Sequence, residues 1–186
     1  MSARISALLA VALLAAGCVT TWTRIEQPVV SGPENRYRVE APPGWVRFSF
    51  NQDRITITRD GLPIQFMEVA RLAGDKAFPK SKKTLPTDAL PAEVAALQLA
   101  ELRAFPTMAD LGVRENTPRT VAGLPGFRVL VQYRNERGAR FDRLIYGARQ
   151  GTEVLLFTYQ ALDTHYFARD LPTFEQFVAS YQTTGP

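Results

Sequence analysis

The chain has one cysteine and one histidine among 186 residues, and no apolar run long enough to span a bilayer. Each shortage excludes a class of chemistry. A lone thiol forms no internal disulfide, although an exported protein has access to one, and it removes thiolate metal clusters and redox pairs. With so few nitrogen and sulfur ligands, and no carboxylates at ligand spacing, neither a resident metal nor another cofactor is expected. His165 would need a nucleophile to build a triad, and the serines beyond residue 17 are Ser31, Ser49, Ser81 and Ser180, none in a Gly-x-Ser-x-Gly elbow. A surface or capping role is expected for it. Gly123 and Gly126 bracket a turn beside Pro125 and lack the lysine that would reach a phosphate. Excess charge is also scarce: a formal +4 is too mild to imply nucleic acid.

These absences leave one acid-base set, the carboxylates Glu68 and Asp142. Both are expected in strands among Arg71, Arg140 and Arg143. Their separation is a tertiary property, and such groups more often form solvated cross-strand ion pairs. The basic cluster Lys76, Lys80, Lys82 and Lys83 lies in a proline-punctuated stretch. It reads as a solvated loop, with contact to anionic headgroups or an acidic partner as the alternative.

What the chain does contain is an export leader. Met1 to Arg4 is short and basic, Ile5 to Ala16 is apolar except for Ser6, and Gly17-Cys18 follows. A spanning helix needs about 20 apolar residues and this run is shorter, so it reads as removable. The ending Leu14-Ala15-Ala16-Gly17-Cys18 resembles the bacterial lipobox, with Ala15 where leucine is usual. That resemblance implies cleavage before Cys18 and acyl chains, palmitate among them, on that residue. Two chains suffice for stable anchoring, since each buried methylene contributes about 0.8 kcal/mol. Val19, where aspartate would favour retention, implies the outer membrane facing the periplasm. The expected organisation is a signal peptide over 1–17, a lipidated N-terminus and tether over 18–35, and one domain over 36–186.

A composition of 46% hydrophobic and 22% charged residues suits a single soluble fold. Alternation along Trp45 to Phe50 puts Val46, Phe48 and Phe50 on one strand face, and Ile55 and Ile57 repeat the pattern. Arg59-Asp60-Gly61 predicts a hairpin into a strand over 63–72. Pro91 suits a first helical turn, and Val94, Ala95, Leu99, Leu102 and Phe105 form one stripe of a helix over 92–105 that Pro106 stops. Val113 to Val121, Phe127 to Arg134, Ala139 to Gly147 and Thr152 to Ala161 predict a second meander. Val154-Leu155-Leu156-Phe157 is apolar on both faces, so the sheet must lie between layers. Asp163 is expected to cap a short helix and Asp170 a final one carrying Leu171, Phe174, Val178 and Tyr181. The fold class is therefore α+β, a twisted antiparallel sheet with helices packed on it.

The order of elements, with Tyr37, Pro43-Gly44-Trp45, Gly123-Leu124-Pro125-Gly126-Phe127 and the Phe174 to Tyr181 helix, resembles the PsbP-like domain. That domain occurs in photosystem accessory proteins, a Ran-binding import factor and bacterial lipoproteins of the DcrB kind. The resemblance implies a membrane-anchored envelope lipoprotein acting as a non-enzymatic binding or assembly accessory, with an envelope protein as partner. The alternative is a small-ligand carrier or hydrolase with a pocket between helix 92–105 and the sheet.

Overall fold

The computed structural model describes residues 22–50, 53–163 and 165–184. The leader and Cys18, with its expected acylation, lie outside the described residues. In chain order the elements are β1 (Trp22–Arg24), β2 (Val29–Ser31), a 3-10 turn (Pro33–Asn35), β3 (Tyr37–Glu40), β4 (Val46–Phe48), β5 (Arg54–Thr58) and β6 (Gln65–Ala73). There follow α1 (Pro91–Arg103), β7 (Ala109–Val121), β8 (Leu124–Arg134), β9 (Arg140–Gln150), β10 (Glu153–Leu162), α2 (Tyr166–Ala179) and β11 (Gln182–Thr183). The main sheet has eight strands in the order β1-β4-β5-β6-β10-β9-β8-β7, and a small sheet has the order β11-β3-β2. Both sheets are antiparallel throughout.

Register decides which side chains share a face, because residues directly opposite on neighbouring strands point the same way. Phe157 stands between Val69 and Tyr146, whereas Thr158 stands between Glu68 and Ile145. On the first face Ile55, Ile57, Val69, Tyr146, Phe157 and Tyr159 pack against Phe174 and Phe177 of α2 and against Tyr37 and Val39 of the small sheet. On the second, Phe127, Val129, Val131, Ile145 and Leu156 meet Val94, Ala95, Leu99 and Leu102 of α1. The doubly apolar β10 is thus covered on both sides, as its sequence requires. Gly147 is part of this packing: a β-carbon there would come within 2.3 Å of the Phe127 ring opposite it.

Helix α1 starts where Pro91 needs no hydrogen-bond acceptor and where the Glu93 carboxylate accepts the Leu90 N–H at 2.7 Å. Val94, Ala95, Leu99 and Leu102 of its expected stripe are buried, whereas the helix ends at Arg103 and leaves Phe105 half-buried beyond it. Helix α2 differs from expectation. One helix runs continuously through Pro172, and Asp170 does not cap it but is buried inside, bonded by Arg169 (3.0 Å) and Arg59 (3.4 Å). Asp163 pairs with Arg140 rather than capping. Proline removes one backbone bond; burial of Phe174 and Phe177 beyond it holds the helix together.

Two further differences concern the first half. Part of the segment expected to be a tether is built into the fold, since β1 pairs with β4 and β2 pairs with β3. Three-residue strands carry too little alternation to be recognised locally, and only pairing defines them. Val46 and Phe48 are half-buried and Phe50 is 74% exposed, although alternation put them on a buried face. Helix α1 lies over β7, β8 and β9, and it does not reach that end of the sheet.

Candidate functional site

Because α1 covers only one side of the second face, the strands beyond it present polar side chains beside the helix. Residues 74–90 fold back over part of this region. Their backbone is fixed by the buried carboxylate of Glu101 in α1, which accepts the N–H groups of Lys80 (2.9 Å) and Ser81 (2.7 Å). The loop backbone is pinned to the helix, while the side chains of Lys76, Lys80, Lys82 and Lys83 are exposed, as expected of a solvated basic loop. Lys76 lines the space between helix and sheet, and Lys80 lies over the Phe105 ring at 5.6 Å.

A cavity of about 260 Å³ lies between α1, the loop and the sheet, and a second of about 460 Å³ adjoins it beside the turn that carries Glu136 and Arg137. Arg143 and Phe105 line both and so stand at the junction. The first cavity adds Arg54, Glu68, Lys76 and Thr158, and the second adds Tyr133, Phe141 and Gln160. Larger depressions of about 620 and 670 Å³ occur elsewhere, beside Pro42-Pro43 and beside Pro118. The first of these carries the carboxylates Glu26 and Glu40 and no cation, and the second a single cation, Arg119.

Arg143 is supplied by β9 and held by its cross-strand partner Gln160 of β10. The Gln160 Oε1 accepts from Arg143 Nε (2.9 Å) and Nη2, and from the Tyr133 hydroxyl of β8 (2.7 Å). The guanidinium also lies against the rings of Phe66 (5.7 Å) and Tyr133 (5.9 Å). Burial pushes the Arg143 pKa below the ordinary guanidinium value, with the charge of Glu68 acting the other way. It nevertheless remains a cation at neutral pH. Among the described residues no carboxylate comes within ion-pair distance of it. A partly desolvated cation with no counter-ion is costly, and an anion placed against it recovers part of that cost.

The structure separates the other sequence candidates. Glu68 faces the groove and accepts from Arg54 Nη1 (3.1 Å) and Thr56 Oγ1 (2.9 Å). Asp142 lies on the opposite face of the sheet, opposite Ala161, and accepts from Gln132 (3.0 Å). Burial raises its pKa. The two carboxylates therefore form no acid-base pair, because register puts an even-numbered residue of β6 and an even-numbered residue of β9 on different faces. His165 is exposed just before α2, edge-on to Tyr166 at 5.6 Å. Arg71 and Arg140 do form ion pairs, but with Glu153 and Asp163 rather than with Glu68 or Asp142. Among the described residues no three of His, Cys, Asp and Glu are grouped closely enough to hold a metal ion. No described helix is long and apolar enough to cross a membrane.

Gln160, Tyr133 and Phe105 were not identifiable as a group in the sequence. They come from β10, β8 and the end of α1, and no local motif links them.

No protein-family model matches the chain, and no curated protein matches it significantly by sequence. Solved structures do match. The cyanobacterial PsbP (CyanoP) of Synechocystis sp. PCC 6803 superimposes with a TM-score of 0.59 at 11% identity, covering 91% of this chain and 96% of that one. The Ran-binding protein Mog1p of Saccharomyces cerevisiae gives 0.51 at 12% identity, covering 86% and 96%. A Bacteroides thetaiotaomicron protein gives 0.55 at 8% identity over 87% of this chain, which spans half the length of that protein. Such identities speak for architecture alone: the antiparallel sheet with a helix layer on each face is the PsbP-like fold.

Proposed function

We propose that the chain is an envelope lipoprotein, anchored through acylated Cys18 in the outer membrane facing the periplasm, whose domain is a non-enzymatic binding accessory. Its partner docks an acidic group on Arg143 in the groove beside α1. The observation that carries this reading is the guanidinium of Arg143, fixed by Gln160 and with no carboxylate at ion-pair distance among the described residues, at the junction of two cavities, the first of them also lined by Lys76. Buried cations are normally paired, so an unpaired one in a cleft marks a site for an anion.

The test uses the acyl-free chain from residue 19 as bait on solubilised envelope, beside Arg143→Ala and the exposed control Arg119→Ala. A partner retained by the parent and the control but lost with Arg143→Ala is expected. Equal capture by all three overturns the role of the groove. Mass spectrometry of the N-terminus of the native product checks the anchor independently, and an unmodified Cys18 overturns it.

A second reading, a carrier for a small carboxylate, is supported by the cleft at Arg143. Calorimetric titration with short carboxylic acids, abolished by Arg143→Ala, would favour it over a protein partner. The hydrolase version of this reading draws no support from the separate positions of Glu68, Asp142 and His165.

A further inference from the structure

The same face of the sheet carries a second feature far from Arg143, at the β1–β4 edge. Trp22 is 42% and Phe50 74% exposed, with Phe48 between them at ring distances of 4.9 Å and 6.1 Å. Trp22 and Phe48 are direct cross-strand partners, and Arg24 and Arg47 flank them on the same two strands. The other tryptophan, Trp45, is 3% exposed in the core. Large rings are normally the first side chains that a fold hides, at about 25 cal/mol per Å² of apolar surface. Two exposed rings that meet a third, half-buried one at a sheet end leave an apolar surface for an external cover.

We infer that this cluster rests in the interfacial layer of the membrane and sets the orientation of the domain. The inference rests on the anchored reading above. Cys18 precedes Trp22 by four residues, and four residues reach at most about 14 Å when fully extended. The cluster is therefore held against whatever membrane the acyl chains enter. Its chemistry fits that position: tryptophan and its aromatic neighbours sit at headgroup depth, and the guanidinium group of Arg24, which shares their sheet face, suits anionic headgroups. The acyl chains already supply the attachment, so the protein contact acts on orientation rather than affinity. Four strand spacings of about 4.8 Å separate β4 from β9, which puts Arg143 roughly 19 Å further along the sheet from the membrane-facing edge. The contact would hold the bilayer at one end of the sheet and leave the groove free for a partner.

The native acylated protein is reconstituted into vesicles of phosphatidylethanolamine and phosphatidylglycerol containing brominated lipid. With one exposed and one buried tryptophan, the expected result is a blue shift and selective quenching of Trp22. That signal should vanish in Trp22→Phe and fall several-fold in Phe48→Ser/Phe50→Ser, while flotation with the vesicles is unchanged. Flotation without quenching of Trp22 overturns the contact and leaves the anchor standing. If Cys18 proves unmodified, the anchor reading falls, and the contact survives only if the acyl-free chain from residue 19 still shows the blue shift on these vesicles. Sedimentation of that acyl-free chain as a dimer dissociated by Trp22→Ser would assign the cluster to a second copy and overturn the membrane contact.

Discussion

The two faces of the eight-stranded sheet are made from the same strands, yet one is closed and the other is half open. Against the first, α2 and the small sheet together cover the surface and bury Tyr146, Phe157, Tyr159, Phe174 and Phe177 almost completely. Against the second, the single helix α1 covers β7 to β9 and leaves Arg54, Glu68, Thr158 and Arg143 half-buried beside it. Residues an odd number of positions apart in β9 and β10 therefore serve different ends. Tyr146 and Phe157 stabilise the fold, while Arg143 and Thr158 line a cleft. The stability of the domain resides mainly in the first face, which leaves the second able to carry a desolvated cation.

Substitutions on the two faces should therefore separate stability from binding. The largest effect is expected for Phe174→Ala, which removes a fully buried ring from the closed face and should lower unfolding free energy by about 3–5 kcal/mol in denaturant melts. A loss comparable to that of a surface change would mean that the closed face is not the main core. Next comes Glu153→Gln, on the same face. Glu153 joins Arg36 of the small sheet (2.5 Å) to Arg71 of β6 (2.6 Å), and losing these charge-assisted bonds should cost about 2 kcal/mol. On the open face, Arg143→Ala should change stability by no more than about 1 kcal/mol, because Gln160 and Tyr133 remain bonded to each other. Partner affinity should meanwhile drop tenfold or more, the equivalent of about 1.4 kcal/mol. A melt as damaged as that of Phe174→Ala would erase the distinction between the faces.

The smallest effect concerns pH, and two carboxylates of the closed face should give slopes of opposite sign. Burial pushes the Glu153 carboxyl up, but bonds from Arg36 and Arg71 outweigh it and hold its pKa below the usual range. Its contribution is complete above the pKa of the unfolded chain and is lost as pH falls through the lower folded value. Burial raises the pKa of Asp142 instead, so its ionised form is the less favourable one in the folded state. Its contribution improves as pH falls from the raised folded value toward the unfolded one, and Asp142→Asn should remove that slope. Melts of Glu153→Gln and Asp142→Asn across the acid range, each subtracted from the parent, read the two slopes. Slopes of the same sign would refute the assignment of these environments.

Much of the architecture was legible because patterns of period two and 3.6 survive wherever one side of an element is buried. The buried stripe of α1 through Leu102, the Asp60-Gly61 turn and the doubly apolar β10 were read correctly. The failures have specific causes. Phe50 alternates like a core residue, but no layer covers it. Asp170 looked like a cap because the sequence does not indicate that Arg169 and Arg59 would enclose it in mid-helix. Strands β1 and β2 are too short to carry a pattern of their own. Arg143 was visible only as one of several arginines in strands, since Gln160 and Tyr133, which set it apart, lie on neighbouring strands.

The sequence by itself determined the class of fold and the expectation of a leader ending at Cys18, because alternation, helical spacing and the order of leader residues are local and survive in one dimension. Only the tertiary structure decided which side of the sheet is left uncovered, that Glu68 and Asp142 stand apart, and that Arg143 has no counter-ion among the described residues. Those properties depend on strand register and on how far one helix reaches, and both are set by contacts between residues far apart in the chain.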